Sequence, residues 1–199
     1  MNNTSRRIRQ IQMWSAILAT LLGISVVAAK TGLLIGEKAN IVMPMMVRSP
    51  SFKQEGVIPA RHTCDDQNVS PPLEWVGVPA DTKSLALIVD DPGTQNSDAP
   101  RMAWVHWVIY NIPSDSHGMP ERDVAELIQP GTLLGLNDWH HIGYEGPCPT
   151  TGKSRYFFKL YALDTLLPDL KRPTKAALET AMHGHILGQS TLVGFYPQP

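Results

Sequence analysis

Trp104-Val105-His106-Trp107-Val108-Ile109-Tyr110, closed by Asn111-Ile112-Pro113, is the stretch on which the fold turns. β-Branched and aromatic residues dominate it, and these suit a pleated, half-buried surface. Period two puts Trp104, His106, Val108 and Tyr110 on one face. The stretch predicts a strand, and Asn111-Ile112-Pro113 ends it. Other runs read the same way. Ser84-Leu85-Ala86-Leu87-Ile88-Val89-Asp90 is short, apolar and rich in strand formers. Arg155-Tyr156-Phe157-Phe158-Lys159-Leu160-Tyr161-Ala162-Leu163 alternates at its start and then stays apolar. Thr191-Leu192-Val193-Gly194-Phe195-Tyr196 predicts a final strand. Between the last two, Pro173 to Leu187 carries a helical pattern, with Leu178, Ala181, Met182 and His185 on one face. Pro173 suits the first turn and Thr174 suits the cap. The chain is expected to be mostly β, with a late helix and long Pro-rich connections.

Composition agrees. Seventeen Pro and fifteen Gly imply short elements and many turns, which disfavours a helical bundle. Hydrophobic residues at 43% supply a core, and charged residues at 18% are too few for disorder. A formal net charge of -1 gives no reason to expect a nucleic-acid partner.

The whole-chain charge mixes two different parts. Residues 1–29 carry Arg6, Arg7 and Arg9, then an apolar run from Trp14, then small residues at Val27-Ala28-Ala29. Basic head, apolar middle and small-residue exit make a secretory signal. The run is shorter than the ~20 residues that span a bilayer. An uncleaved anchor to the inner membrane through residues 13–29 is the alternative, and membrane contact is expected only through that segment. Residues 30–47 read as a linker or arm, and residues 48–199 as the folded domain. Without residues 1–29 the net charge falls to -4. The expected location is periplasmic or secreted. Exported thiols meet an oxidising compartment, so Cys64 and Cys148 read as one disulfide.

Three places could carry chemistry. Asp90-Asp91-Pro92 ends an apolar strand, where carboxylates are costly unless exposed or paired. It is either a turn cap or a site. His106 sits in a Trp-rich strand, either as a satisfied core residue or as an anion or proton site beside a carboxylate. Gly143-Tyr144-Glu145-Gly146-Pro147-Cys148-Pro149 is a loop whose backbone N–H groups could face an anion. Arg155 points away from Tyr156 and is expected in a structural ion pair, while the Tyr156 hydroxyl could donate. The chain has no GxSxG, HExxH or phosphate-binding GxxxxGK[ST] pattern. His140 and His141, with His106 and Asp91, are the one conceivable metal set.

Together these blocks resemble the phosphatidylethanolamine-binding protein family, in its bacterial Raf-kinase-inhibitor-like branch. The resemblance runs from about Ser51 to Tyr196 and includes Ile58-Pro59, Ser70-Pro71-Pro72-Leu73-Glu74-Trp75 and Gly135-Leu136-Asn137-Asp138-Trp139. It implies a large antiparallel sheet packed with a smaller one, peripheral helices, and a shallow pocket for small anions such as phosphate or phospholipid head groups. Asp91, Pro92, Trp104, His106, Gly146, Pro147 and Tyr156 match the family's pocket positions. Gly93 stands where the family has a second Asp, Thr150 where it has Pro, and Ser154 where it has His. Losing the Asp removes repulsion toward an anion, and losing the His removes a donor. Asp98 could replace the missing carboxylate. Exported bacterial relatives often bridge the two cysteine positions.

The resemblance implies a binding protein for a small anion or phospholipid head group, with no cofactor and no catalytic residues. A protein–protein regulator of proteases or kinases, acting in the envelope or outside the cell on a protein partner, is the second expectation. A metal-assisted hydrolase is the third.

Overall fold

A computed structural model of the chain describes residues 43–93, 103–121, 129–149 and 153–197. The expected signal at residues 1–29, residues 30–42 of the arm, Thr150 and Asp98 lie outside them. The described elements are β1 (Met46–Arg48), β2 (Gly56–Val57), a 3-10 turn (Ala60–His62), β3 (Leu73–Val76), β4 (Ser84–Asp91) and β5 (Trp104–Pro113). β6 (Gly118–Met119), β7 (Leu133–Leu134), β8 (Lys153–Leu163), α1 (Lys175–Met182) and β9 (Ile186–Pro197) follow. One sheet has the order β1-β3-β6 and the other β2-β9-β8-β4-β5-β7. Neighbours are antiparallel except β2 and β9. The expected mostly β architecture with a large and a small sheet is what the chain adopts.

The centre of the large sheet is buried on both faces, which is why β4 reads as a continuous apolar run. Leu85, Leu87 and Val89 join Trp107, Phe158 and Leu160 in a core shared with Val47 and Trp75 of the small sheet. Ala86 and Ile88 face the other way, onto a second core with Leu178 and Met182 of α1. Val47, expected at the end of an arm, pairs with Trp75 and is 4% exposed.

The helix is shorter than its pattern. It spans Lys175–Met182, with the Thr174 hydroxyl accepting from the Ala177 N–H at 3.4 Å. Gly184 at φ 83° reverses the chain, a conformation glycine adopts without penalty. Ile186 and Gly188 then pair with Leu163 and Ala162 of β8. Pairing along that long strand overrides the helical periodicity beyond Met182. His185 therefore leaves the expected helix face and bonds Asp164 at 2.8 Å.

Candidate functional site

Alternation along β4 separates the adjacent carboxylates. Asp90 shares the helix-side face of Ala86 and Ile88, and Asp91 shares the inter-sheet face. Asp90 is fully buried and accepts from the ammonium groups of Lys159 (2.7 Å) and Lys175. It is a structural ion cluster on the far side of the sheet. Asp91 Oδ1 accepts from the Gly93 N–H at 2.8 Å, so this carboxylate caps the turn. It also stands close enough to bear electrostatically on both His106 and Tyr156.

His106 departs from the one-face expectation. Val89 pairs with Trp107 and Asp90 with Val105, so His106 is an extra residue with no partner on β4. Such a bulge re-aims side chains beside sites. The added residue shifts the alternation by one. Val105 packs with Val108 and Tyr110 in the helix-side core. His106 instead meets the Tyr156 ring edge-on, with centroids 5.1 Å apart.

The His106 imidazole is 3% exposed, and its Nδ1 lies 2.6 Å from the Glu145 carbonyl oxygen. A carbonyl only accepts, so Nδ1 carries the proton and Nε2 the lone pair. Nε2 has no hydrogen-bond partner among the described residues. Burial pushes the His106 pKa below its ordinary value, and the Glu145 carbonyl and the Asp91 charge oppose that shift.

Tyr156 is 2% exposed. Burial, followed by the nearby Asp91 charge, pushes its hydroxyl up, and a hydrogen bond with Ser154 works against them. The phenol is thus held protonated, as a donor. Ser154, on the same face as Tyr156, is also buried. Arg155 faces outward. Among the described residues it forms no ion pair, contrary to expectation, and its guanidinium stands 5.2 Å from the Phe195 ring centroid.

Trp139 joins this cluster without having been singled out. Its ring meets Trp104 at 5.3 Å and His106 at 5.1 Å, both edge-on. Asn137 Oδ1 accepts the N–H groups of Trp139 and His141 and so shapes the turn. Asp138 Oδ2 accepts the Val105 N–H at 2.7 Å and ties that turn to β5. The Asn-Asp pair before Trp139 was the local signal, since such residues bond their own backbone two positions on. Trp104 is 47% exposed and Pro92 is exposed, whereas Gly146 and Pro147 are buried.

The 143–149 loop is held mostly from inside. The Glu145 N–H donates to the His106 carbonyl at 3.1 Å and the Gly146 N–H to Asn68 Oδ1 at 2.8 Å. Asn68 Nδ2 donates to Glu145 Oε2 at 2.8 Å. A Cβ on Gly146 would stand 2.4 Å from the His62 carbonyl oxygen, so only glycine fits. Cys64 and Cys148 are disulfide-bonded, and the Cys64 N–H donates to the Pro147 carbonyl at 3.1 Å. With those two amides committed and Pro147 lacking one, the side chains carry the polar groups of the site.

His140 and His141 are exposed, and His141 Nδ1 lies 3.5 Å from Glu145 Oε1. Among the described residues no group of three or more His, Cys, Asp or Glu is placed to hold a metal ion. The structure therefore does not assemble Asp91, His106, His140 and His141 into a metal centre. It instead gathers Asp91, His106, Tyr156, Trp104 and Trp139.

Comparison with known proteins agrees with the fold. A family model described as phosphatidylethanolamine-binding protein matches residues 48–197. A UPF0098 protein of Methanothermobacter thermautotrophicus is 49% identical over 153 residues, covering 76% of this chain and 98% of its own. The crystal structure of a Chlamydia trachomatis homolog of phosphatidylethanolamine-binding protein superposes with a TM-score of 0.71 at 37% identity, over 78% of this chain and 99% of that one. Escherichia coli YbcL, described as a member of the mammalian family, superposes with a TM-score of 0.70 at 27% identity, over 79% and 100%.

Proposed function

We propose that this chain, which belongs to the phosphatidylethanolamine-binding protein family, is an exported binding protein for a small anionic ligand. The ligand is phosphate-like or head-group-like and sits between Asp91, His106 and Tyr156. The observation that carries this reading is the Nε2 of a buried His106, unpartnered among the described residues, on a ring held in place by the Glu145 carbonyl. Tyr156 supplies a protonated hydroxyl and Ser154 a second one. Asp91 accepts a ligand amine where there is one. Gly93, standing where the family has Asp, lowers the negative charge the anion must approach. The basic–apolar–small pattern of residues 1–29 and the disulfide support export, because structural disulfides persist in oxidising compartments. Among the described residues no helix is long and apolar enough to cross a membrane.

The site makes anion binding depend on pH. Burial keeps the free imidazole neutral, and its Nε2 lone pair cannot donate to an anion. Anion binding therefore takes up a proton at His106, and affinity rises as pH falls. Sulfate is the suitable probe because its own charge is constant over this range. Calorimetric titration is expected to show sulfate affinity rising by about tenfold per pH unit as pH falls from the site's pKa in the complex toward its lowered pKa in the free chain. His106→Gln should abolish that slope and weaken binding about tenfold at low pH. A pH-independent affinity, or an unchanged one in His106→Gln, would overturn the reading.

The same burial affects stability. His62 and His106 both titrate below 6.5 in the folded chain because burial disfavours the imidazolium. The unfolded chain binds each proton near its ordinary pKa. The stability they contribute is full above about pH 6.5 and is lost as pH falls through the lowered folded-state values. Melting temperature is expected to drop between pH 7.5 and 5.5, and saturating sulfate should recover part of the loss. A flat profile over that interval would contradict the assignment.

A further inference from the structure

A cavity of about 530 Å³ opens beside β7, away from the site above. Leu133 and Leu134 give it an apolar lining, the fully buried Tyr110 lies at its wall, and the rim includes Ile142, which is 43% exposed. Its size lies in the ordinary range for small-molecule sites.

Two polar features on its wall lack partners among the described residues. Thr132 Oγ1 is buried with no hydrogen-bond partner there. Arg172 makes no ion pair or side-chain hydrogen bond among the described residues. The neighbouring Lys171 ammonium is already neutralised by Asp169 at 2.5 Å. Lys171 and Arg172 are successive non-glycine residues in the left-handed region, at φ 58° and 61°. Surrounding bonds hold them there. The Leu170 N–H donates to the Tyr110 hydroxyl at 3.0 Å, the Lys171 N–H to Asp169 Oδ1 at 2.9 Å, and the Leu136 N–H to the Pro173 carbonyl at 2.9 Å. Strained residues fixed in this way cluster at ligand clamps.

We propose that this cavity is a second binding site, specific for a short alkyl carboxylate. The chain of the ligand lies on Leu133, Leu134 and Ile142. The carboxylate pairs with the Arg172 guanidinium, whose fork matches it, and accepts from the Thr132 hydroxyl. A neutral ligand would leave the guanidinium unpaired, and a free inorganic anion would leave the apolar lining wet.

Amide shifts of the full chain titrated with octanoate test this, with 1-octanol as the uncharged control. Saturable shifts are expected at Gly131, Thr132, Ile142 and Lys171, with none of comparable affinity for octanol. Arg172→Gln and Thr132→Val should each weaken octanoate about tenfold. Thr132→Val preserves shape and removes an unpartnered buried hydroxyl, so the fold is expected to persist. No saturation, equal affinity for octanol, wild-type affinity in both variants, or shifts centred on His106 and Tyr156 would each overturn the proposal.

Discussion

Replacing Lys159 and Lys175 together with methionine is expected to destabilise the domain by roughly 3 kcal/mol, read as a lower urea midpoint at unchanged slope. Asp90 has no solvent exposure, and its Oδ1 has no hydrogen-bond partner among the described residues. Both ammonium groups meet the other oxygen, Oδ2. Methionine keeps the length of each stem, so packing changes little, but the carboxylate is left buried and unpaired. Removing the partners of a buried charge is far worse than removing the whole cluster. The lysine side chains keep 27% and 19% exposure, so the figure sits at the low end of that effect. Adding Asp90→Leu to the double variant should restore most of the loss. A double variant within about 1 kcal/mol of wild type would show that Asp90 is satisfied by other means. Lys175 belongs to α1 and Lys159 to β8, so the cluster also ties the helix to the sheet at the residue before Asp91.

Removing the Cys64–Cys148 bond is expected to have the largest effect of all. The bond joins residues 84 apart in sequence, and the chain-entropy model assigns it about 4.6 kcal/mol. Much of the candidate site hangs on that closure. Cys64 precedes Asp65, whose carboxylate accepts from the Tyr196 hydroxyl at 2.6 Å. Cys148 ends the loop whose Glu145 carbonyl orients His106. The paired Cys64→Ser and Cys148→Ser variant should therefore lose denaturant stability and sulfate affinity together. Stability within about 1 kcal/mol of wild type would refute the first expectation. Unchanged sulfate affinity in a variant shown to be folded would refute the second.

Much of this molecule was legible along single strands. β4, β8 and the body of β9 stand out because apolar and β-branched residues cluster between turn residues, a signal local to each stretch. β1, β6 and β7 were not visible. They span two or three residues each, too few to show a period. β3, at four residues, lay inside a motif recognised only by resemblance. The helical pattern runs past the helix, because Ile186 and Leu187 continue it while their backbone belongs to β9. In the candidate site, Asp91, His106 and Tyr156 were named from the chain. Trp139 and the Glu145 carbonyl were not, since one reaches His106 through a turn and the other acts through its backbone.

The sequence by itself determined the strand content, the family, and which residue types were available for an anion. Only the tertiary structure decided where they point. Asp90 and Asp91 look equivalent in the chain, yet one is locked against α1 and the other turned toward Tyr156. His106 looks like a partner of Val108, yet an unpaired residue in the β4–β5 ladder turns it to the opposite face. The reason is that side-chain direction in a sheet follows the pairing register between strands. A bulge in that register is a property of two strands together, which neither one encodes in its own pattern.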